Sequence, residues 1–308
     1  GSEMCIRDRS MEEQVPNKYK QVLVESKVTE DDAFVTKDIE AILSKHFDEN
    51  NTKDVYKLLF NCIDLTALNS TDTVESIGKM VERVNAFETD YPELKNVAAV
   101  CVYPNFAMVV SGGLEVSSVD TAVVAGSFPS SQTFLEVKTA ETALAVADGA
   151  NEVDIVLNLG LFYSNNYEEL TDEIAELKHA ARNARLKVIL ETGALKTAAD
   201  IKKASLLAMY SGADFIKTST GKVYPGATLE AAYVMCQCIK EYYEKTGNMV
   251  GFKVSGGVSS TADAVKYYTL VKEILGEAWL NNDYFRIGTS RAANYILSDI
   301  LGSETKYF

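Results

Sequence analysis

His46 and His179 are the only histidines in 308 residues. The first falls in a helix-like stretch near the amino end and the second mid-helix. A histidine-built metal centre and a Ser-His-Asp triad therefore lack their parts, and both residues read as surface histidines. Cysteine is sparse too. Cys5, Cys62, Cys101, Cys236 and Cys238 form an odd set without a CxxC pair, which fits reduced, buried thiols better than a disulfide framework. Cys236 and Cys238, two apart on a helical pattern, face different directions and should not pair. No apolar run reaches the roughly 18 residues of a membrane span, and the start lacks the apolar core of a signal peptide. The expectation is a cytoplasmic chain with no membrane partner. Basic residues are outnumbered, 30 against 44 acidic, for a net charge of -14. That field repels nucleic acid, so a phosphate group binds only where local donors overcome it. With 47% apolar and 24% charged residues, the composition is that of a globular protein whose partner is a small molecule.

The chain divides by rhythm. Gly1-Ser2 resembles a protease-cleavage scar and Met4 to Arg9 a translated sequencing adapter, so the first ten residues read as foreign, and residues 1–14 are expected to be scar and disordered tail. Residues 15–60 read as a helical extension with two apolar stripes, Ile39, Ile42, Leu43 and Phe47, then Val55, Leu58 and Leu59. From Cys62 short apolar runs alternate with amphipathic segments. The runs are Cys62–Leu68, Val97–Tyr103, Thr121–Phe128, Glu152–Leu159, Leu186–Glu191, Asp214–Thr218, Val250–Ser255 and Phe285–Gly288. Between them Ile77, Met80, Val81 and Val84, Leu170, Ile174 and Leu177, and Val265, Tyr268, Val271 and Leu275 keep helical spacing. Eight strand–helix alternations predict a (β/α)8 TIM barrel over 61–301, with a tail at 302–308. An open doubly wound sheet is the competitor, but no GxGxxG follows the first strand.

Barrel chemistry sits at the carboxyl ends of the strands. Period-two alternation places Lys217 on the face opposite Ile216, Lys253 opposite Phe252 and Val254, and Asp154 opposite Val153 and Ile155. If the apolar partners face the helices, all three charges point inward. A lone strand-end lysine usually snorkels to the surface, yet three inward charges on strands four, six and seven are costly without a function. The two lysines stand on neighbouring strands. Desolvation and like-charge repulsion both lower a lysine pKa and leave a neutral amine able to attack a carbonyl, while a carboxylate moves protons. The set is a Schiff-base aldolase kit. The glycine-rich ends Thr220-Gly221-Lys222, Ser255-Gly256-Gly257 and Gly288-Thr289-Ser290 follow strands six to eight, where barrels often bind phosphate. Lys222, Ser290 and Arg291 would add donors, although glycines at these places also make ordinary turns.

The segments Ile63-Asp-Leu-Thr66, Ala99-Val-Cys-Val-Tyr-Pro104, Glu152-Val-Asp154, Lys187-Val-Ile-Leu-Glu-Thr-Gly193, Phe215-Ile-Lys-Thr-Ser-Thr-Gly-Lys222, Gly251-Phe-Lys253 and Arg286-Ile-Gly288 resemble the deoxyribose-phosphate aldolase family over roughly 61–301. The resemblance implies a class I aldolase that reversibly cleaves 2-deoxy-D-ribose 5-phosphate to D-glyceraldehyde 3-phosphate and acetaldehyde, with no metal and no cofactor. It implies that Lys217 forms the Schiff base, Lys253 depresses its pKa and Asp154 relays protons. Gly221, Lys222, Gly256, Gly257, Gly288 and Ser290 would line the phosphate site, with Asp64, Thr66 and Cys101 near the substrate. Many members carry arginine where this chain has Ser259 and serine where it has Arg291, so Arg291 is expected to supply the missing guanidinium. Some members end in a tyrosine that reaches the active site, whereas here Tyr307 is followed by Phe308. A homo-oligomer is expected, a dimer first. The alternatives are a Schiff-base aldolase of the same fold with another donor or acceptor aldehyde, and a non-catalytic interaction protein.

Overall fold

The computed structural model describes residues 17–308, so the reading of residues 1–14 lies outside the described residues. Eight parallel strands close in chain order into one barrel: β1 (Ile63–Thr66), β2 (Ala99–Val102), β3 (Asp120–Val124), β4 (Glu152–Val156), β5 (Arg185–Ile189), β6 (Phe215–Lys217), β7 (Gly251–Ser255) and β8 (Phe285–Thr289). Each overlaps one predicted apolar run. Val153, Ile155, Leu186, Val188, Ile216, Phe252, Val254, Phe285 and Ile287 are buried against the helix layer, which turns their neighbours inward. The layer contains α4 (Val74–Asp90), α5 (Ala107–Gly113), α6 (Leu135–Ala147), α7 (Leu159–Tyr163), α8 (Tyr167–Ala180), α9 (Thr192–Leu195), α10 (Ala198–Tyr210), α11 (Leu229–Thr246), α12 (Thr261–Leu275) and α13 (Arg291–Leu301). Among the described residues no helix is long and apolar enough to cross a membrane.

The strand register staggers round the barrel, so inward residues of alternate strands meet in layers. Glu152 and Arg286 share the lowest of three layers with Ala99 and Phe215. Asp64, Lys187 and Lys253 share the next with Ala122. Asp154 and Lys217 share the third with Cys101 and Gly288. Branched apolar side chains ordinarily fill such an interior. Here seven acidic and basic side chains occupy it.

The extension contains three helices rather than two, α1 (Asn17–Glu25), α2 (Asp32–Asn50) and α3 (Lys53–Asn61), laid against α10 to α13. The short α1 carries the same signal in Tyr19, Val22 and Leu23, at i, i+3 and i+4 and packed on the core, and the sequence reading passed over it. The extension is held by distant polar contacts. Lys202 Nζ donates to the carbonyls of Ser26 and Val28 at 3.2 and 2.9 Å. Ala198 N donates to Asp32 Oδ1 at 2.9 Å, and Tyr233 Oη to Asp38 Oδ2 at 2.6 Å. His46 is half-buried rather than a free surface group. Its Nδ1 lies 2.7 Å from Glu49 on its own helix and its Nε2 3.3 Å from Glu273 on α12. The two ring nitrogens face different carboxylates, and the contact with Glu273 ties α2 to α12. His179 is exposed, as expected. At the other terminus Tyr307 Oη donates to Asp90 at 2.7 Å and Phe308 stacks on Phe60 and Phe87. The tail is docked on α3, α4 and α13.

Candidate active site

A cavity of about 410 Å³ opens where β1, β6, β7 and β8 end. Thr66, Lys217 and Ser255 lie at its base, and the loops after β6, β7 and β8 form its walls. Lys217 is the last residue of β6 and pairs in register with Lys253. Its side chain is 3% exposed, enough to reach the cavity from an otherwise closed interior.

Beneath it the charges interlock. Lys217 Nζ donates to Asp154 Oδ2 at 3.1 Å, and Lys253 Nζ donates to the same oxygen at 2.8 Å and to Asp64 Oδ2 at 2.5 Å. Lys187 Nζ lies 3.0 Å from Asp64 Oδ2, 2.7 Å from Glu152 Oε1 and 3.1 Å from Asp154 Oδ1. That last contact is an ion pair off the hydrogen-bond direction, so Asp154 Oδ1 has no hydrogen-bond partner. Gly288 is required here, because a Cβ on it would come within 2.9 Å of Lys253 Cε.

Three buried lysines meet two different fates. Burial pushes the Lys217 amine below the ordinary lysine value; the Lys253 ammonium adds to the push and Asp154 opposes it. Burial rather than the second cation is thus the larger cause. Burial also works against charge on Lys253 and Lys187, but for Lys253 the carboxylates of Asp154 and Asp64, joined by Glu152 for Lys187, overcome it and hold both above the ordinary value. Asp154 is held well below the usual carboxylate range, since Lys187, Lys253 and Lys217 outweigh its desolvation. The arrangement has one amine freed of its proton more easily than an ordinary lysine, a cation beside it and a carboxylate between them. That combination can attack a carbonyl and shuttle the protons.

The remaining expected residues divide. Thr66, Gly221, Lys222, Gly256, Gly288, Ser290 and Arg291 line the cavity. Asp154, Lys253, Asp64 and Cys101 are fully buried beneath it. Gly257 does not line it: at φ +70° it packs on Ala227, where a Cβ would sit 2.4 Å from the carbonyl oxygen. Lys222 Nζ donates to the Leu68 carbonyl, spanning the mouth rather than pointing free into it. Ser259 lines the rim, but its hydroxyl donates to Asp263 at 2.8 Å, while Arg291 stands exposed at the start of α13. Sequence reasoning missed Glu152, Lys187 and Arg286, although the same period-two test points them inward. It also missed Glu191, whose φ of +57° follows the end of β5. Glu191 accepts from Thr220 N at 3.2 Å and Thr220 Oγ1 at 2.7 Å, shaping the loop that carries Gly221 and Lys222.

Residues 58–271 match the model of the DeoC/LacD family aldolases. A human deoxyribose-phosphate aldolase is 40% identical over 253 residues, covering 77% of this chain and 77% of its own. The deoxyribose-phosphate aldolase of Agrobacterium fabrum is 35% identical over 253 residues, covering 82% and 94%. The solved deoxyribose phosphate aldolase of Aeropyrum pernix, described as having a unique tetrameric structure, superposes with a TM-score of 0.64 at 27% identity over 84% of this chain and 96% of that one. With the family model spanning most of the barrel, the chain belongs to the DeoC/LacD family of aldolases.

Proposed function

We propose that this aldolase reversibly cleaves 2-deoxy-D-ribose 5-phosphate to D-glyceraldehyde 3-phosphate and acetaldehyde, with Lys217 as the nucleophile. The observation that carries the reading is a buried amine of lowered pKa at the base of an open cavity, 3.1 Å from a carboxylate that Lys253 also holds. Neutral Lys217 Nζ adds to C1 of the open-chain aldehyde, and loss of water gives the protonated Schiff base. The C2–C3 bond then breaks; its electron pair forms the enamine C1=C2 and neutralises the iminium nitrogen. The C3 hydroxyl proton leaves as the C3 aldehyde forms, and its relay falls to Asp154 through a water, since that carboxylate lies buried beneath the cavity beside Lys217. Protonation of the enamine at C2 and hydrolysis release acetaldehyde and restore the amine. Arg291 and the N–H groups around Gly221, Gly256 and Ser290 hold the phosphate at the rim.

The test is borohydride reduction in the presence of acetaldehyde, followed by peptide mass mapping. The label belongs on the Lys217 peptide and disappears in Lys217→Leu; a label elsewhere removes the nucleophile. Parallel assays with acetaldehyde, dihydroxyacetone and hydroxyacetone as donors separate this reading from an aldolase of another donor, with acetaldehyde expected to dominate. The proposal includes a homodimer in the cytoplasm. Sedimentation velocity checks the first, and cell fractionation the second.

A further inference from the structure

Two charged side chains below Lys217 never reach the cavity and take no part in the chemistry above. Arg286 and Glu152 face each other in the lowest charged layer, joined by Nη1–Oε1 at 2.7 Å and Nη2–Oε2 at 2.8 Å. The guanidinium also lies 5.8 Å from the centre of the Phe215 ring. A buried ion pair is no better for stability than well-packed apolar residues of the same volume, so stability alone does not account for it. Charge balance does. Asp64, Glu152 and Asp154 supply three negative charges, and Lys187, Lys253 and Arg286 supply three positive ones. Lys217 is the seventh group, and a proton on it leaves the interior with an uncompensated cation.

We propose that Arg286 and Glu152 are positioning residues for the aldol reaction, setting the charge balance that leaves Lys217 as the amine without a carboxylate of its own. The inference rests on the reading of Lys217 as nucleophile.

Each residue acts through a bonded chain. Arg286 Nη1 holds Asp64 Oδ1 at 2.7 Å, and the other oxygen of Asp64 holds Lys253. Without the guanidinium, Asp64 draws Lys253 away from Asp154, which is then freer to hold a proton on Lys217. Glu152 instead restrains Lys187 at 2.7 Å. Without that carboxylate, Lys187 turns to Asp154 and competes with Lys217 for it. In both cases the rearrangement and the change in net charge act in the same direction. Lys217 itself is faced by Asp154 from β4, Lys187 from β5, Lys253 from β7 and Cys101 from β2. Glu152 is flanked by Asp120 from β3, which burial and this neighbour push up to about 7, and by Arg185 from β5 at 3.4 Å.

The experiment is the pH profile of acetaldehyde trapping at Lys217 by borohydride, read by mass in folded protein. Arg286→Met should move the acidic limb about one pH unit upward and Glu152→Gln about one unit downward, the size expected for one charge about two layers away at an effective dielectric of about 20. The double variant buries no unpaired charge and should return the limb to its original place. Opposite shifts with cancellation support the proposal; shifts of the same sign, or none, overturn it. Should one single variant fail to fold, the other and the double still decide by shift and cancellation. Wild-type protein labelled at another residue sinks the nucleophile itself, whereas labelling at Lys217 with unmoved limbs sinks only this inference.

Discussion

Lys253→Met removes the cation nearest the proposed nucleophile. Lys217 and Lys253 donate to one oxygen at 3.1 and 2.8 Å, so their nitrogens lie within about 6 Å of each other. At about 5 Å and an effective dielectric of about 20, their repulsion is roughly 3 kcal/mol, or about two units in the Lys217 pKa. Burial remains the first cause of the lowered value, so the variant's amine should return toward the ordinary lysine range without passing far above it. The acidic limb of kcat/KM should move upward by up to about two pH units, and activity at a fixed pH on that limb should fall by up to about a hundredfold, since the neutral fraction there drops tenfold per unit. The loss should be recovered as pH rises through the displaced limb. An acidic limb that stays in place or moves downward would refute the electrostatic role. A loss that persists at every pH would instead assign Lys253 to proton transfer.

Further outcomes follow from the same network. Arg291→Ala should raise KM for the phosphorylated sugar roughly ten- to a hundredfold, the loss of one charge-assisted hydrogen bond, and leave KM for 2-deoxyribose unchanged; equal KM effects on both would contradict phosphate binding. Tyr307→Phe should leave kcat unchanged at pH 7.5, because its hydroxyl is engaged by Asp90 on α4; a tenfold fall would place the tail in the site. Asp64, Asp154 and Glu152 have folded-state values below the ordinary carboxylate range, Glu152 at about 2. Their contribution is complete above about pH 4 and is lost as pH falls through the folded values, so urea midpoints should drop between about pH 4 and pH 2. Lys187 and Lys253, raised in the fold, contribute below about pH 10.5 and lose that contribution above it, so midpoints should fall again in strong alkali. A flat profile at both ends would contradict the buried network. Lys202→Met should lower the melting temperature by releasing the segment at Ser26 and Val28, with kcat preserved.

The barrel was legible because each strand is a short buried run and each helix a stripe, and both signals are local. Lys217, Lys253 and Asp154 were legible for the same reason: their apolar neighbours declare which face is outward. Glu152, Lys187 and Arg286 carried that signal equally, and an even application of the test finds them. What local pattern does not contain is partnership across the chain. The link from Lys222 to Leu68, the bridge from His46 to Glu273, and the docking of Tyr307 on Asp90 join residues far apart in sequence. The balance between burial and neighbouring charge at Lys217 likewise needs the positions of four strands at once.

The most direct measurement is the titration of Lys217 by ¹³C NMR of lysine labelled at Cε, with the resonance assigned by its absence in Lys217→Leu. The predicted midpoint lies below the ordinary 10.5 of lysine, with the buried Lys187 and Lys253 resonances titrating above it. A Lys217 midpoint at or above 10.5 contradicts the account.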